Sequence, residues 1–178
     1  MKTMKTKTLL QCALFAALSA VLSQTAIPIG LVPITLTHIS IFLAAGLLGT
    51  AYGTLSQLVF VLLGAIGLPV FSNFSGGFGI IAGPRGGFII GYLLCAFVTG
   101  LIIDRFGASL KVLIIALLAG WLATYIPGLL WLMAQTNTGI SSALSLYCLP
   151  FLPGDIAKSV LCIFLIARLR PILRTKTQ

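Results

Sequence analysis

The sequence predicts an all-α integral membrane protein, a bundle of six transmembrane helices with both termini on the cytoplasmic side. Hydrophobic residues make up 59% of the 178 residues and charged residues only 7%, whereas soluble domains average about 25% charged residues. The apolar runs are continuous and do not alternate with polar residues, which favours helices over a β-barrel. Since a spanning helix needs roughly 20 residues, the chain has room for about six, and we expect one membrane domain over residues 1–178.

The predicted spans lie at about 8–26, 38–52, 54–70, 86–104, 109–133 and 150–169. The first follows a basic stretch, as in a signal peptide, but its apolar run is long enough to span the bilayer, so we expect it to remain part of the bundle. The segment GTAYG at 49–53 predicts either a tight turn or a kink between spans two and three. Pro127 is expected to kink span five, which neighbouring helices in a bundle tolerate.

The orientation of the bundle follows from its basic residues, because Lys and Arg accumulate in cytoplasmic loops and tails. Nine of the 11 basic residues lie at the two tails or at the junction of spans four and five: Lys2, Lys5, Lys7, Arg105, Lys111, Arg168, Arg170, Arg174 and Lys176. Six spans place all of them inside, whereas five or seven would place one tail outside. This distribution explains the net charge of +9 without a nucleic-acid partner, and it predicts a multi-pass protein of the cytoplasmic membrane, surrounded by the lipid bilayer.

Three charges depart from this pattern and fall at the outer mouths of spans four and six: Arg85, Asp155 and Lys158. A charge at the centre of a bilayer costs about 2.5–3.5 kcal/mol on insertion scales, and such residues usually mark a site. Positions three apart share one face of a helix, so the carboxylate of Asp155 and the ammonium of Lys158 are expected to point the same way. The alternatives are an ion pair that neutralises itself, or ordinary charges of the outer loops.

The loop before span four offers further candidate ligand groups. Arg85 lies in the glycine-rich stretch GGFGIIAGPRGGF at 76–88, where backbone can approach a ligand closely and the guanidinium suits a carboxylate. Asn73, between Phe71 and Phe74, is either a partner of the ligand's head group or an Asx-turn residue. Apolar walls with a few convergent polar groups are typical of a small-molecule pocket.

Enzymatic and metal-binding functions find little support in the sequence. His38 is the single histidine, and we interpret it as a structural or interfacial hydrogen-bonding residue. No His or carboxylate cluster completes a metal site, and neither a G-x-S-x-G elbow nor a P-loop occurs. We therefore expect no catalysis, no metal and no cofactor, and no ATP hydrolysis by this chain alone.

Span one carries small residues four apart in two overlapping pairs, Ala13/Ala17 and Ala16/Ala20. Such faces let helices approach closely in lipid. They indicate either the docking of a partner helix or close packing within the bundle.

Three segments together resemble the BioY family: VPITLTHISIFLAAGLLG, LLGAIGLPVFSNFSGGFGIIAGPRGGFIIGY and PFLPGDIAKSVL. The resemblance runs over about residues 8–169. It implies a biotin-specific substrate-binding subunit (S component) of an energy-coupling-factor (ECF) transporter, which takes up biotin from outside. It also implies three partner chains, a transmembrane coupling subunit and two ATPases, with the coupling subunit docked on the alanine face of the first helix.

The same resemblance implies roles for individual residues. It places Asp155 and Lys158 against the head of biotin. It makes Gly83 and Gly86 part of a ligand-proximal turn, and Thr35, with Val32 and Pro33, part of a loop that covers a pocket walled in part by Phe71. Two positions depart from the residues usual in the family, namely Arg85 in place of Thr and Thr37 in place of Gln. The first of these, Arg85, leaves open a related ligand such as a biotin precursor. An S component for another small vitamin and a self-sufficient small-molecule carrier are further alternatives.

Overall fold

The computed structural model describes residues 6–27 and 31–175, with side chains through residue 172, and the regular structure in these residues is helical. The α-helices are α1 (Thr6–Ser23), α2 (Thr37–Ala65), α3 (Phe78–Ala82), α4 (Gly86–Phe106), α5 (Leu110–Thr136), α6 (Ile140–Tyr147) and α7 (Leu152–Thr175). A 3-10 turn spans Ser72–Phe74. The predicted all-α class is confirmed.

Four of the helices in the described residues, α1, α2, α4 and α5, are long and apolar enough to cross a membrane. The bent pair of α6 and α7, which meet at 54°, makes a fifth candidate. Large side chains on the outside of these helices are apolar, and Leu118, Leu122 and Leu130 are each about 60% exposed. An apolar outer surface of this kind belongs in lipid rather than in water.

Predicted span two and most of predicted span three fall within the single helix α2, which ends at Ala65 and which the structure divides at Gly49. The backbone of Gly49 has φ 83° and ψ −177°, far from helical values. The hydroxyl of Ser19 lies 2.8 Å from that of Ser40 and donates to Oε1 of Gln57 at 3.0 Å. In a straight helix Ser40 and Gln57 would be about 25 Å apart. The chain therefore reverses at Gly49, and the two halves of α2, residues 37–48 and 50–65, lie side by side.

An acidic side chain closes this reversal. Asp104, near the end of α4, accepts hydrogen bonds at Oδ2 from the backbone N–H of Thr50 (2.7 Å) and from its hydroxyl (2.9 Å). Its other oxygen lies 2.9 Å from the guanidinium of Arg170 on α7, which is only 4% exposed. A carboxylate at a helix N-terminus satisfies free backbone N–H groups. Asp104 thus joins the second half of α2 to α4 and α7 at one end of the bundle, hereafter the Gly49 end.

Proline 127 lies inside α5, which continues from Leu110 to Thr136. Gly128, which follows it, packs directly against the ring of Phe88 on α4. Helix α4 therefore packs beside the half-buried proline, as expected for a proline inside a bundle. The kink expected at this proline stays a prediction.

Substitution of Gly49 by Ala is expected to destabilise the fold. The new Cβ would lie 2.7 Å from a carboxylate oxygen of Asp104, and φ of 83° strains any side chain. Backbone strain of this kind costs about 1–3 kcal/mol, so the apparent Tm of the detergent-purified protein should fall by roughly 2–10 °C. Gly139→Ala is the matched control, because Gly139 has φ −67° and open space around it. Equal Tm values for the two variants would contradict a reversal that depends on Gly49.

Candidate functional site

The first turn of α7 buries an ion pair. Asp155 and Lys158 are only 4% and 6% exposed, and Oδ1 of Asp155 lies 2.8 Å from Nζ of Lys158. The ammonium also donates to the carbonyl oxygen of Thr35, in the loop before α2, at 3.0 Å. The shared helix face predicted from the sequence is present. The mutual ion pair, which the sequence left open as an alternative, is also present.

The two oxygens of Asp155 differ in their surroundings. Oδ2 accepts a hydrogen bond from the hydroxyl of Tyr125 on α5. Oδ1 is close to Lys158, but it accepts no well-directed hydrogen bond from any of the described residues. Buried polar atoms are normally hydrogen-bonded. Oδ1 therefore keeps lone pairs for a donor that enters the adjoining cavity.

Aromatic rings form the wall beside the ion pair. The ring of Trp121 lies 4.1 Å from that of His38 and 5.8 Å from that of Tyr125, measured between centroids. Nζ of Lys158 lies 5.5 Å from the Trp121 centroid, within cation–π range. These rings line the same cavity as Asp155 and Lys158. An apolar ring system with a polar group could pack on this wall.

Sequence reasoning missed Trp121 and Tyr125 as site residues. Their spacing of four residues places both on one face of a helix, and Trp and Tyr inside a membrane span generally need a polar partner. This spacing and this need for a polar partner were the signals from which the two residues could have been identified. His38 was interpreted as a structural hydrogen-bonding residue, and its Nε2 lies 3.5 Å from the hydroxyl of Thr124.

A second cavity adjoins the first. The two share part of their lining, namely Val32, Pro33, Thr35, Phe88 and Tyr92. The second is also lined by Arg85 and Phe71. The guanidinium of Arg85 donates through Nε to the carbonyl oxygen of Leu31 at 2.7 Å. The two adjoining cavities therefore have an acid–base pair in the lining of one and a guanidinium in the lining of the other.

Residues 31–36 form a loop that lines both cavities through Val32, Pro33 and Thr35. Lys158 donates a hydrogen bond to the carbonyl oxygen of Thr35 in this loop, and Arg85 donates one to the carbonyl oxygen of Leu31. Ile34 also pairs with Ile27 through two backbone hydrogen bonds of 2.9 and 3.0 Å. The loop is thus anchored by both cations of the site.

Three predicted site residues lie outside the two cavities. Asn73 has φ 59° and ψ 39°, is exposed and belongs to the turn after Phe71, which agrees with the turn interpretation. A Cβ on Gly86 would collide with the carbonyl of Ile81, and the carbonyl oxygen of Gly83 accepts from Trp131 Nε1 at 3.0 Å. These two glycines therefore shape the entry into α4, and the cavity linings do not include them.

The residues of the site and the fold that carries them correspond to a known family. The sequence matches the BioY family over residues 1–175. The chain belongs to the BioY family. The resemblance seen in the three sequence segments is thereby confirmed.

Named members of the BioY family align with most of the chain. A probable biotin transporter BioY from Pyrococcus horikoshii is 40% identical over 94% of this chain and 98% of its own length. The biotin transporter BioY of Thermotoga maritima is 40% identical over 85% of this chain and 79% of its own length. A crystal structure described as the S-component for biotin from an ECF-type ABC transporter is 36% identical, with a TM-score of 0.87, and the alignment covers 96% of this chain and 94% of that one.

The alanine pairs of the first helix of this BioY chain divide between two faces. Ala16 is only 2% exposed and packs in a cluster with Phe60 and Ile89, and Ala20 is half-buried against the same cluster. Ala13 and Ala17 are exposed. The Ala16/Ala20 pair therefore serves packing within the bundle, while the Ala13/Ala17 pair is free for another helix.

No metal site accompanies the BioY pocket in the described ranges 6–27 and 31–172. Within them no group of three or more His, Cys, Asp or Glu side chains is placed to hold a metal ion. The chemistry available in the cavities is therefore that of one carboxylate, two cations, hydroxyl groups and aromatic rings.

The buried pair itself generates a stability prediction that needs no ligand. Lys158→Met leaves Asp155 charged and unpaired in the bundle, which costs about 3–5 kcal/mol. The apparent Tm in detergent should fall by on the order of 10 °C. Adding Asp155→Asn should restore part of the loss, because the buried charge is then removed as well. Arg105→Met, at an exposed position, is the control. A double variant as unstable as Lys158→Met alone would contradict this view.

Proposed function

We propose that the chain is the biotin-binding subunit (S component) of an ECF-type ABC importer and binds biotin from outside the cytoplasmic membrane. The buried Asp155–Lys158 pair at the end of an aromatic-walled cavity is the observation that carries the proposal. The names of the aligned relatives, biotin transporter and S-component for biotin, support it.

The chemistry of biotin matches the groups of the site. Its ureido ring offers two N–H donors and one carbonyl acceptor. Oδ1 of Asp155 can accept from an N–H, and Lys158 can donate to the carbonyl. The thiophane ring and the hydrocarbon tail are apolar and suit the rings of Trp121 and Tyr92. The terminal carboxylate of biotin suits Arg85, whose terminal nitrogens have, among the described residues, one long hydrogen-bond contact, 3.5 Å from NH1 to the hydroxyl of Ser72.

We propose six membrane passes, with the two halves of α2 as passes two and three. The reversal at Gly49 supports this count, and so does the length of α6, whose eight residues are too few to span. Exposed basic residues collect at the Gly49 end: Lys7, Arg105, Lys111 and Arg168. The positive-inside rule assigns that end to the cytoplasm. Both termini are then cytoplasmic, and the cavities open toward the outside.

The proposed partners follow from what the chain lacks and what it exposes. The sequence contains no nucleotide-binding motif, and two separate ATPase subunits are the proposed source of energy. The exposed Ala13/Ala17 face of α1 is the proposed contact for the transmembrane coupling subunit, because small residues allow close helix approach in lipid. No catalysis and no cofactor are required of this chain.

Loss of either member of the pair is expected to weaken biotin binding. A hydrogen bond to a charged group contributes about 1.5–3 kcal/mol, so Asp155→Asn and Lys158→Ala should each reduce affinity roughly 10- to 150-fold. Arg85→Ala should reduce the affinity for biotin more than the affinity for biotin amide, because the amide lacks the charged carboxylate. Calorimetric titration with biotin, biotin amide and dethiobiotin measures all three effects.

Arg168→Ala is the control for these variants, because Arg168 is exposed on the far part of α7. Circular dichroism confirms that each variant is folded. Wild-type biotin affinity in both Asp155→Asn and Lys158→Ala would overturn the proposed site. Tighter binding of dethiobiotin than of biotin would assign the pocket to a precursor instead.

The contact with the coupling subunit is tested by a bulky residue on the exposed face of α1. Ala17→Trp should preserve biotin binding and abolish co-purification with the coupling subunit, because the indole prevents close helix approach. Ala16→Trp is the matched comparison one position away. It should disturb the bundle itself, because Ala16 is only 2% exposed. Loss of biotin binding in Ala17→Trp would show that this face serves internal packing.

A further inference from the structure

Two hydrogen bonds join α5 to α7 beside the ion pair. Nε1 of Trp121 donates to the hydroxyl of Ser159 at 2.9 Å, and the hydroxyl of Tyr125 donates to Oδ2 of Asp155. The partners are four residues apart on each helix and pair in opposite order. They therefore form a ladder of two bonds, one helical turn apart, between antiparallel helices.

This ladder separates the ligand cavity from an apolar groove on the outside of the bundle. The groove is lined mainly by aliphatic side chains of α5, α6 and α7: Leu118, Leu122, Ile126, Leu129, Leu144, Leu152, Ile156 and Val160. Trp121, Tyr125 and Asp155 line both spaces. Asp155 is therefore at the border between the polar end of the cavity and a surface exposed to lipid.

The bond from Tyr125 fixes which carboxylate oxygen faces which neighbour. A carboxylate rotates easily about its last torsion, where the preference is broad. With Oδ2 engaged by Tyr125, Oδ1 stays 2.8 Å from Lys158 and keeps lone pairs. Without the phenol, the carboxylate could rotate so that either oxygen meets the ammonium, and the oxygen turned away from Lys158 would border the apolar groove without a donor.

We propose that Tyr125 is a positioning residue for biotin recognition, acting through Asp155 rather than only by its own contact with the ligand. This inference rests on the proposed function. The Tyr125 hydroxyl holds the carboxylate so that Oδ1 accepts the ureido N–H while Lys158 donates to the ureido carbonyl. Specificity for a ligand that carries a donor and an acceptor side by side then depends on three side chains, namely Tyr125 from α5 and Asp155 and Lys158 from α7.

The experiment compares the two bonds of the ladder. Tyr125→Phe and Ser159→Ala each remove one hydrogen bond between α5 and α7, but Ser159 does not line the ligand cavity. Calorimetric titration with biotin should show affinity reduced on the order of tenfold in Tyr125→Phe and nearly unchanged in Ser159→Ala. Thermal unfolding should show that both variants remain folded.

A double-mutant cycle with Asp155→Ala tests whether Tyr125 acts through Asp155. In that background, titrated with biotin to its solubility limit, Tyr125→Phe should cause little further loss. Equal effects of Tyr125→Phe and Ser159→Ala, or full additivity in the cycle, would overturn the positioning role alone. Wild-type affinity in Asp155→Ala would instead overturn the proposed binding site, so the two failures are distinguishable.

Discussion

The pairing of Lys158 with Asp155 organises the ligand-binding end of this protein. Buried charges need partners, and this pair has its contacts in three parts of the structure. The ammonium reaches the loop before α2, the carboxylate reaches α5, and both groups belong to α7. One salt bridge thus brings together the loop, the aromatic wall and the last helix. The cavity exists where these three parts meet.

The only other acidic residue in the chain has a similar role at the opposite end. Asp104 receives two hydrogen bonds from Thr50 and an ion pair from Arg170. In both cases the cation comes from α7, and the acid joins that helix to a second one. A chain with so few charges uses each carboxylate to connect elements that lie far apart in sequence. The two ends differ in that Asp155 lines one of the two cavities described above, whereas Asp104 lines neither of them.

The sequence predicted the helical class and the Asp155–Lys158 pair, because composition and the spacing of three residues determine both. It also indicated a turn near Gly49, but the residue at which the chain reverses depends on Asp104, 55 positions later. Trp121 and Tyr125 were not assigned to the site, because their spacing of four residues indicates a shared helix face but not whether that face meets lipid or a cavity. Asn73 was left open between a ligand group and a turn residue; its left-handed backbone places it in a turn, and a role in ligand binding stays a prediction.

The two cations that anchor the loop at 31–36 both bind backbone carbonyl oxygens, at Leu31 and Thr35. Every amino acid supplies that same acceptor, so closure of the loop over the cavity does not depend on which side chains the loop carries. Those side chains are consequently free to change without loss of the anchoring contacts. Substitutions in this loop are therefore expected to change the walls of the cavity while the two anchoring hydrogen bonds are retained.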